Sequence, residues 1–378
     1  MPFRPDEDFR PPCWLRNRHV QSMLASTGAR RRSVERRTAS LVAAQKEMVL
    51  DCGDEVRLQC FVSSPPNSTG RPAVILHGWE GSAQSLYILS LSQQLFDRGY
   101  EVLRLNMRDH GETHHLNRDL FHSCRLSDVV GALRAIQYLY PGQQLRLAGF
   151  SLGGNFVLRA AAQGAQTGLA GLPQLNIAKV VAVSPVLDPE ETLVALEESF
   201  PGYQLYFVRK WMRSLLKKQA VWPKVYDFHE LGKMSDLRRM TAELVKRFTD
   251  FPTLEDYLNG YAITGSHLAH LAVPSRIITS LDDPIIPAQS LKRLANPAAL
   301  QLTVTRHGGH CGFLERLSGP SWVERKIVEE FESEAPASRE SSAFQHSAAI
   351  GRDRQILNEF VEFLAVHGIG LLSRRYTR

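Results

Sequence analysis

Gly149-Phe150-Ser151-Leu152-Gly153, followed by Gly154, is the stretch that decides the fold of this chain. A short apolar run at residues 145–148 precedes it, and residues 155–162, which have helical composition, follow it. A strand, a tight turn and a helix in this order lift a nucleophilic serine above the edge of a sheet. The G-x-S-x-G pattern also arises by chance, so an ordinary serine in a glycine-rich turn stays an alternative at this point.

Segments of strand and helix composition alternate on both sides of this stretch. Such alternation predicts an α/β fold, with a mostly parallel sheet that is flanked by helices on both faces. Residues 73–76 are wholly apolar, which is typical of a strand covered on both faces. The predicted strands are 47–50 and 56–61 as a hairpin, then 73–76, 101–105, 145–148, 179–183, 276–279 and 300–304, and the predicted helices include 84–97, 126–139 and 322–332.

The alternation stops at Leu187 and resumes near residue 276. The residues between carry helical patches rich in Lys, Arg, Leu and aromatic side chains, so they are predicted to form a helical cap. We therefore divide the chain into an irregular N-terminal arm with one short helix near 20–24 (1–45), a first core part (46–187), the cap (188–270), a second core part (271–332) and a flexible linker with a C-terminal helix (333–378).

The charge and composition limit the classes of partner. The chain has 378 residues, of which 43% are hydrophobic, and a net charge of +6. Part of that charge lies in Arg30-Arg31-Arg32 and Arg36-Arg37, which we predict to be a solvated segment. No aromatic residues interleave with it and no nucleic-acid fold signature occurs, so no nucleic-acid partner is predicted. Peripheral contact with an anionic membrane surface stays open.

The cysteines indicate the compartment. The five cysteines are scattered and form no C-x-x-C pair, which argues against a disulfide framework and a structural zinc site. We expect reduced thiols in a cytoplasmic protein. The N-terminus has no apolar signal-peptide region, and no apolar run approaches the length of a membrane span.

Two backbone amides are predicted to form an oxyanion hole. His77-Gly78-Trp79-Glu80-Gly81 directly follows the buried strand at 73–76. In a fold of this kind the loop after that strand supplies one N–H, and the residue after the nucleophile supplies the other. We therefore assign the backbone amides of Trp79 and Leu152.

An acid and a histidine follow the two last strands. Asp282 and Asp283 stand in a proline-rich turn, where they can orient a histidine or simply cap the turn. We favour Asp283 as the orienting acid and His310 as the base, and we expect His307 to support the loop. The resulting order is Ser151, then Asp283, then His310, which differs from the orders in the two well-known serine protease classes.

Residues 106–115 contain three histidines and two acids and invite a metal hypothesis. Their spacing is not H-E-x-x-H, and they follow a strand instead of lying on a helix. We predict no metal and no cofactor here, and we expect the segment to order the loop or to face the substrate.

The segments together resemble the YheT-like family of α/β-hydrolases. The resemblance extends from about residue 12 to 331 and is carried by residues 16–22 (RNRHVQS), 77–82 (HGWEGS), 149–155 (GFSLGGN), 282–284 (DDP) and 307–313 (HGGHCGF). It implies a carboxylic-ester hydrolase of the esterase or lipase type, with Ser151, Asp283 and His310 as the triad and short acyl or glycerolipid esters as substrates. Residues 108–111 are more polar than the corresponding turn of the family, so the acyl pocket is expected to differ.

The sequence therefore predicts a cofactor-free serine hydrolase that acts on a small-molecule ester or lipid. An acyltransferase on the same triad, in which an alcohol or a thiol replaces water, is one alternative. A non-catalytic binding protein that keeps the fold is another.

Aromatic residues of the cap are expected to line an acyl pocket above Ser151. These are Tyr203, Tyr206, Phe207, Trp211 and Trp222.

Overall fold

An eight-stranded sheet lies at the centre of the computed structural model, which describes residues 5–333 apart from 7, 27, 165–174 and 200. The strand order is β1-β2-β4-β3-β5-β6-β7-β8. The β1–β2 and β2–β4 pairs are antiparallel and the other pairs are parallel, so the mostly parallel sheet is confirmed. The strands are β1 (Gln45–Asp51), β2 (Arg57–Ser63), β3 (Pro72–Leu76), β4 (Glu101–Leu105), β5 (Leu145–Phe150), β6 (Ile177–Val183), β7 (Ser275–Ser280) and β8 (Leu300–Thr305).

Helices cover both faces of the sheet, and one apolar cluster lies on each face. Helices α4 and α11 contribute to the cluster on one face, whereas α5 and α6 contribute to the cluster on the other. Every residue of β3 and β4 is buried, as expected of strands that are covered on both faces. The helices are α1 (Arg18–Ser26), α2 (Gly28–Arg37), α3 (Ala39–Ala43), α4 (Leu86–Asp97), α5 (Leu126–Leu139), α6 (Leu152–Gly164), α7 (Pro189–Glu198), α8 (Pro201–Val221), α9 (Leu237–Phe248), α10 (Leu254–Asn259) and α11 (Trp322–Glu332).

The N-terminal arm is more ordered than its sequence suggested. The irregular course predicted for most of residues 1–45 is wrong, because a short 3₁₀ turn and helices α1 to α3 occupy much of this segment. Val34 and Leu41 are fully buried in the same cluster as α4 and α11. Arginines surround Val34 in the sequence, and Leu41 has mostly small neighbours, so composition alone did not reveal the buried face.

Arg30 also departs from the prediction of a solvated basic segment. Its side chain is 1% exposed, and its Nη2 donates to the carbonyl oxygen of Gly319 over 3.0 Å. The same nitrogen lies 3.9 Å from a carboxylate oxygen of Glu324, which is equally buried. Arg31, by contrast, is 63% exposed. One arginine of the cluster thus anchors the N-terminal helices to α11, while its neighbour faces solvent.

Four helices, α7 to α10, occupy the stretch between β6 and β7, as the helical composition predicted. Three of them begin at a residue whose side chain accepts a hydrogen bond from the first turn, namely Asp188, Asp236 and Thr253. Helix α9 buries Leu237, Met240, Leu244 and Val245. That spacing places one apolar stripe against the protein. The boundaries drawn for the cap stay a prediction, and the linker and C-terminal helix predicted beyond residue 333 lie outside the described residues.

The expectations about membrane spans and disulfide bonds concern the described helices and cysteines. None of their helices combines the length and the apolar character that crossing a membrane requires. All five cysteines are free, and Cys13 is exposed. The cytoplasmic location inferred from the cysteines stays a prediction.

The contact between α5 and the turn after β1 generates a stability prediction. A Cβ atom on Gly131 would lie 2.0 Å from the backbone oxygen of Cys52. We expect Gly131→Ala to lower the free energy of unfolding by about 1–3 kcal/mol, although alanine is the better helix former. Gly232→Ala is the control, because its Cβ would meet only Met212 at 3.7 Å. Urea denaturation measures both, and equal midpoints would contradict the predicted steric clash.

Candidate active site

Ser151 stands in a left-handed turn between β5 and α6. Its φ is 52°, which is a costly conformation for a residue with a side chain. Its N–H donates to the carbonyl oxygen of Val183 on β6 over 2.8 Å. The turn also brings Gly153 so close to the loop after β3 that a Cβ there would lie 2.4 Å from the oxygen of His77. Strand, turn and helix therefore hold Ser151 at the carboxyl edge of the sheet.

His310 and Asp283 form a hydrogen-bonded pair. The Nδ1 of His310 lies 3.0 Å from Oδ2 of Asp283, whose side chain is fully buried. The other carboxylate oxygen, Oδ1, accepts from the N–H groups of Ile285 and Ile286, each over 2.9 Å. These contacts fix the carboxylate and leave Nε2 of His310 as the nitrogen that can exchange a proton.

Asp282 has different partners from its neighbour. Its Oδ1 accepts from the N–H of Gly309 over 2.9 Å, and its Oδ2 lies 3.6 Å from Nδ1 of His307. Asp282 and His307 therefore order the loop that carries His310. The structure brings Asp283, and not Asp282, into contact with the His310 ring.

The electrostatic environment of His310 has two opposing parts. Burial of the ring acts to lower its pKa, whereas the charge of Asp283 and the hydrogen bond to it act to raise it. Cys311 acts in the same direction as Asp283, and together these effects outweigh burial, so the pKa of His310 lies well above its ordinary value. A histidine must be neutral to accept a proton, so His310 can act as a base only above that raised pKa.

The backbone amides of the loop after β3 are mostly engaged. The N–H of Gly78 donates to the hydroxyl of Tyr87 over 3.0 Å, and the N–H of Glu80 donates to Nε2 of His110 over 3.1 Å. Among the described residues, the N–H of Trp79 has no acceptor. The loop therefore leaves that one amide of the three available to a ligand.

Leu152 offers a second amide of this kind. It is the first residue of α6, and the N–H groups of a first helical turn have no partner within the helix. Within the described ranges its N–H also finds no acceptor elsewhere. Trp79 and Leu152 both line the same cavity as Ser151. The two N–H groups can therefore stabilise negative charge that develops next to the serine.

Two buried histidines hold the loops around this cavity. The Nδ1 atoms of His77 and His110 lie 2.8 and 2.7 Å from backbone carbonyl oxygens, and their Nε2 atoms accept from the N–H groups of Met107 and Glu80. Burial lowers the pKa of His77 to about 4 and that of His110 well below its ordinary value. Both rings are therefore neutral, with one nitrogen as donor and the other as acceptor, and they join the loops after β3 and β4.

The histidine-rich segment at 106–115 anchors the cap. Nζ of Lys218, a fully buried residue of α8, lies 2.8 Å from Oδ1 of Asp109. Nε2 of His114 is 2.9 Å from Oγ of Ser214, also on α8. Nε1 of Trp222 donates to the backbone oxygen of His114. No group of three His, Cys, Asp or Glu side chains suited to a metal occurs in the part of the chain that the structure describes. The segment therefore orders the loop, which was one of the two roles expected from its sequence.

A cavity of about 690 Å³ lies over the serine, and both Ser151 and His310 line it. Trp79 forms part of its wall and stacks on Phe207 at a centroid distance of 5.3 Å, with Trp211 edge-on at 5.1 Å. Of the five aromatic residues predicted for the pocket, four line it: Tyr203, Tyr206, Phe207 and Trp211. Trp222 does not line the pocket, because its ring donates a hydrogen bond to His114 in the segment at 106–115.

Helix α1 supplies contacts that the sequence reasoning missed. Oγ of Ser22 accepts the N–H of His310 over 2.8 Å. Gln21 is fully buried, and its amide bonds both the N–H and the oxygen of Leu314 as well as the oxygen of Leu15. The only signal was that these residues belong to the RNRHVQS stretch of the family resemblance, to which no role was assigned. The N-terminal helix thus positions the His310 loop from outside the sheet.

Comparisons with known proteins find one family and several similar proteins. The family described as "alpha/beta hydrolase fold" matches residues 72–317. The chain is 26% identical to "Putative esterase YheT" of Escherichia coli (strain K12), over 86% of this chain and 93% of that protein. It is 24% identical to "Phospholipase ABHD3" of Homo sapiens, over 82% and 74%. A solved structure, the Pyrococcus furiosus esterase Pf2001, aligns with a TM-score of 0.48 at 16% identity, over 75% of this chain and 88% of that one.

The buried ion pair beneath the cap generates a prediction. We expect Lys218→Met to lower the free energy of unfolding by about 3–5 kcal/mol, because it leaves Asp109 buried without its cation. The double variant Lys218→Met/Asp109→Asn should recover part of that loss. Lys217→Met is the matched control, since its pair with Glu112 is solvent-exposed and contributes less than about 1 kcal/mol. Thermal and urea unfolding measure all three, and equal losses for the two lysines would contradict the role of Lys218.

Proposed function

Because the chain belongs to the alpha/beta hydrolase family, we propose that it is a serine hydrolase that cleaves carboxylic esters through an acyl-enzyme. The fold and the YheT-like resemblance predicted from the sequence are confirmed. Relatives named as an esterase, a phospholipase and a monoacylglycerol lipase support ester hydrolysis as the class of reaction. The observation that carries the proposal is the His310–Asp283 pair at the cavity that contains Ser151.

In the first half of the proposed reaction, Oγ of Ser151 attacks the ester carbonyl carbon. Its proton passes to Nε2 of neutral His310, since a serine hydroxyl is a weak nucleophile without a base. Asp283 holds the Nδ1–H and stabilises the imidazolium that forms. The carbonyl oxygen becomes negative and accepts hydrogen bonds from the N–H groups of Trp79 and Leu152. When the tetrahedral species collapses, the alkoxide leaves with the proton from His310.

In the second half, a water molecule takes the place of the alcohol. His310 accepts its proton as the water oxygen attacks the acyl-serine, and the same two amides stabilise the second oxyanion. Collapse releases the carboxylic acid and returns the proton to Ser151. No cofactor takes part in either half.

The cavity suits a short acyl chain or a glycerolipid ester. Helices α7, α8 and α10 contribute aromatic and aliphatic side chains to its wall, and such side chains are typical of sites for apolar ligands. We therefore assign residues 188–270 as a cap that sets substrate preference.

An acyltransferase on the same triad would resolve the acyl-enzyme with an alcohol or a thiol. Assays with and without an added acceptor alcohol distinguish it from a hydrolase.

The nucleophile is tested by covalent labelling. We expect the wild-type protein to react with a fluorophosphonate probe, and Ser151→Ala to abolish both the labelling and the hydrolysis of p-nitrophenyl esters. Ser123→Ala is the control, because this serine lines the same cavity but has no part in the proposed reaction. Labelling that survives in Ser151→Ala would place the nucleophile elsewhere, and a wild-type protein that is never labelled would favour a non-catalytic binding protein.

The orienting acid is tested by two neighbouring substitutions. We expect Asp283→Asn to lower kcat by roughly 10⁴-fold, because an amide cannot hold His310 in the required tautomer. The loss of negative charge should also lower the pKa of His310, so the acidic limb of the pH–rate profile should move to lower pH. Asp282→Asn should change kcat far less and leave the limb in place. The reverse ranking in steady-state kinetics would identify Asp282 as the acid.

A further inference from the structure

The charged residues on the cavity wall have one sign. Lys210 and Arg31 line the cavity together with Ser151, and among the described residues no Asp or Glu side chain does. The rest of the wall is largely aromatic, aliphatic or hydroxyl-bearing. Purely apolar substrates would gain nothing from two cations in this position, and cationic substrates would be repelled by them.

Lys210 has no acidic partner in the structure. Its Nζ donates to the hydroxyl of Tyr206 over 3.2 Å and lies 5.4 Å from the centre of that ring. No carboxylate pairs with it anywhere in the described part of the chain, although Lys217 and Lys218, two turns further along α8, are both ion-paired. Its positive charge is therefore available to a ligand.

Lys210 lies between two residues that pack on the loop after β3 and lines the same cavity as Ser151. On α8 it follows Phe207 by one turn and precedes Trp211, and both of these rings pack on Trp79 of the loop after β3. The charge of Lys210 is also felt within that loop, because it adds to the effect of burial in lowering the pKa of His77. Glu80 is the carboxyl in this loop whose pKa Lys210 affects: burial raises that pKa to about 8, and the charge of Lys210 acts to lower it. Within the described ranges, however, Glu80 forms no ion pair with Lys210.

We propose that the ester substrate carries an anionic group, a carboxylate or a phosphate, that pairs with Lys210 inside the cavity. The inference rests on the proposed ester hydrolysis and specifies its substrate class. Charge-assisted hydrogen bonds are about twice as strong as neutral ones, and an apolar wall screens them less than water does. Arg31 is 63% exposed and already lies 3.8 Å from a carboxylate oxygen of Glu35, so Lys210 is the cation of this wall that we assign to the substrate.

The test compares matched soluble esters with and without a negative charge. One pair is 4-methylumbelliferyl hydrogen adipate and 4-methylumbelliferyl hexanoate, which places a carboxylate at the acyl end. The other is 1-hexanoylglycerol-3-phosphate and 1-hexanoylglycerol, which places a phosphate on the alcohol. We expect a higher kcat/KM for the anionic member of at least one pair, and this preference should weaken as the salt concentration rises.

Three variants separate the charge from its surroundings. Lys210→Met should lower the ratio of kcat/KM values, anionic over neutral, roughly tenfold, which corresponds to about 1.4 kcal/mol. Lys210→Arg should keep most of the ratio. Arg209→Met is the control, because this neighbouring cation lies on the same helix but does not line the cavity.

The outcomes distinguish this inference from the proposed function. An unchanged ratio in Lys210→Met, or no preference for either anionic ester, would overturn the anionic substrate while ester hydrolysis stands. A loss of activity toward charged and neutral esters alike would show that Lys210 supports the site only structurally. Absence of hydrolysis of all four esters, together with no labelling of Ser151, would overturn the proposed function itself.

Discussion

The tight packing of the Ser151 turn against the loop after β3 is the constraint on which the rest of the site depends. Gly153 approaches the backbone of Leu76 and His77 so closely that a single added carbon would overlap it. A Cβ on Gly78 would in turn lie 3.1 Å from the Cβ of Ser151. Because of this closeness, Trp79 and Leu152, from two separate chain segments, line the same cavity as Ser151. The proposed anion-binding site needs both segments, because the N–H of Trp79 and the N–H of Leu152 come from different parts of the chain.

Polar contacts then hold the elements around this turn. His77 and His110 are neutral and buried, and each satisfies both ring nitrogens with backbone groups, so their loops are fixed without a buried charge. The buried Lys218 is paired with Asp109 and joins α8 of the cap to the loop after β4. The site thus has rigid walls, while an unpaired cation, Lys210, is left facing the cavity.

Much of the sheet and the order of the candidate residues could be predicted from the sequence. Short apolar runs such as 73–76 form strands because a parallel sheet is covered on both faces. The residues that follow parallel strands meet at the carboxyl edge of the sheet, so the candidate site residues could be expected there. The same reasoning failed for the N-terminal arm. Val34 stands alone among arginines, and Leu41 lies in a short run of mostly small residues, so no local pattern showed that α4 and α11 would cover them. Trp222 was predicted to line the pocket but contacts the backbone of His114 instead. Composition does not distinguish an aromatic residue that lines a pocket from one that packs against another segment.

The sequence by itself determined the fold class, the serine turn and the chain order of serine, acid and histidine, because these depend on local composition and on which residues follow strands. Only the tertiary structure decided which of two adjacent aspartates contacts His310, since Asp282 and Asp283 differ in direction and not in chemistry. It also decided that Ser22 supports the histidine loop from 288 residues away. Contacts between distant segments depend on how the elements pack, and a local pattern of residues does not encode that.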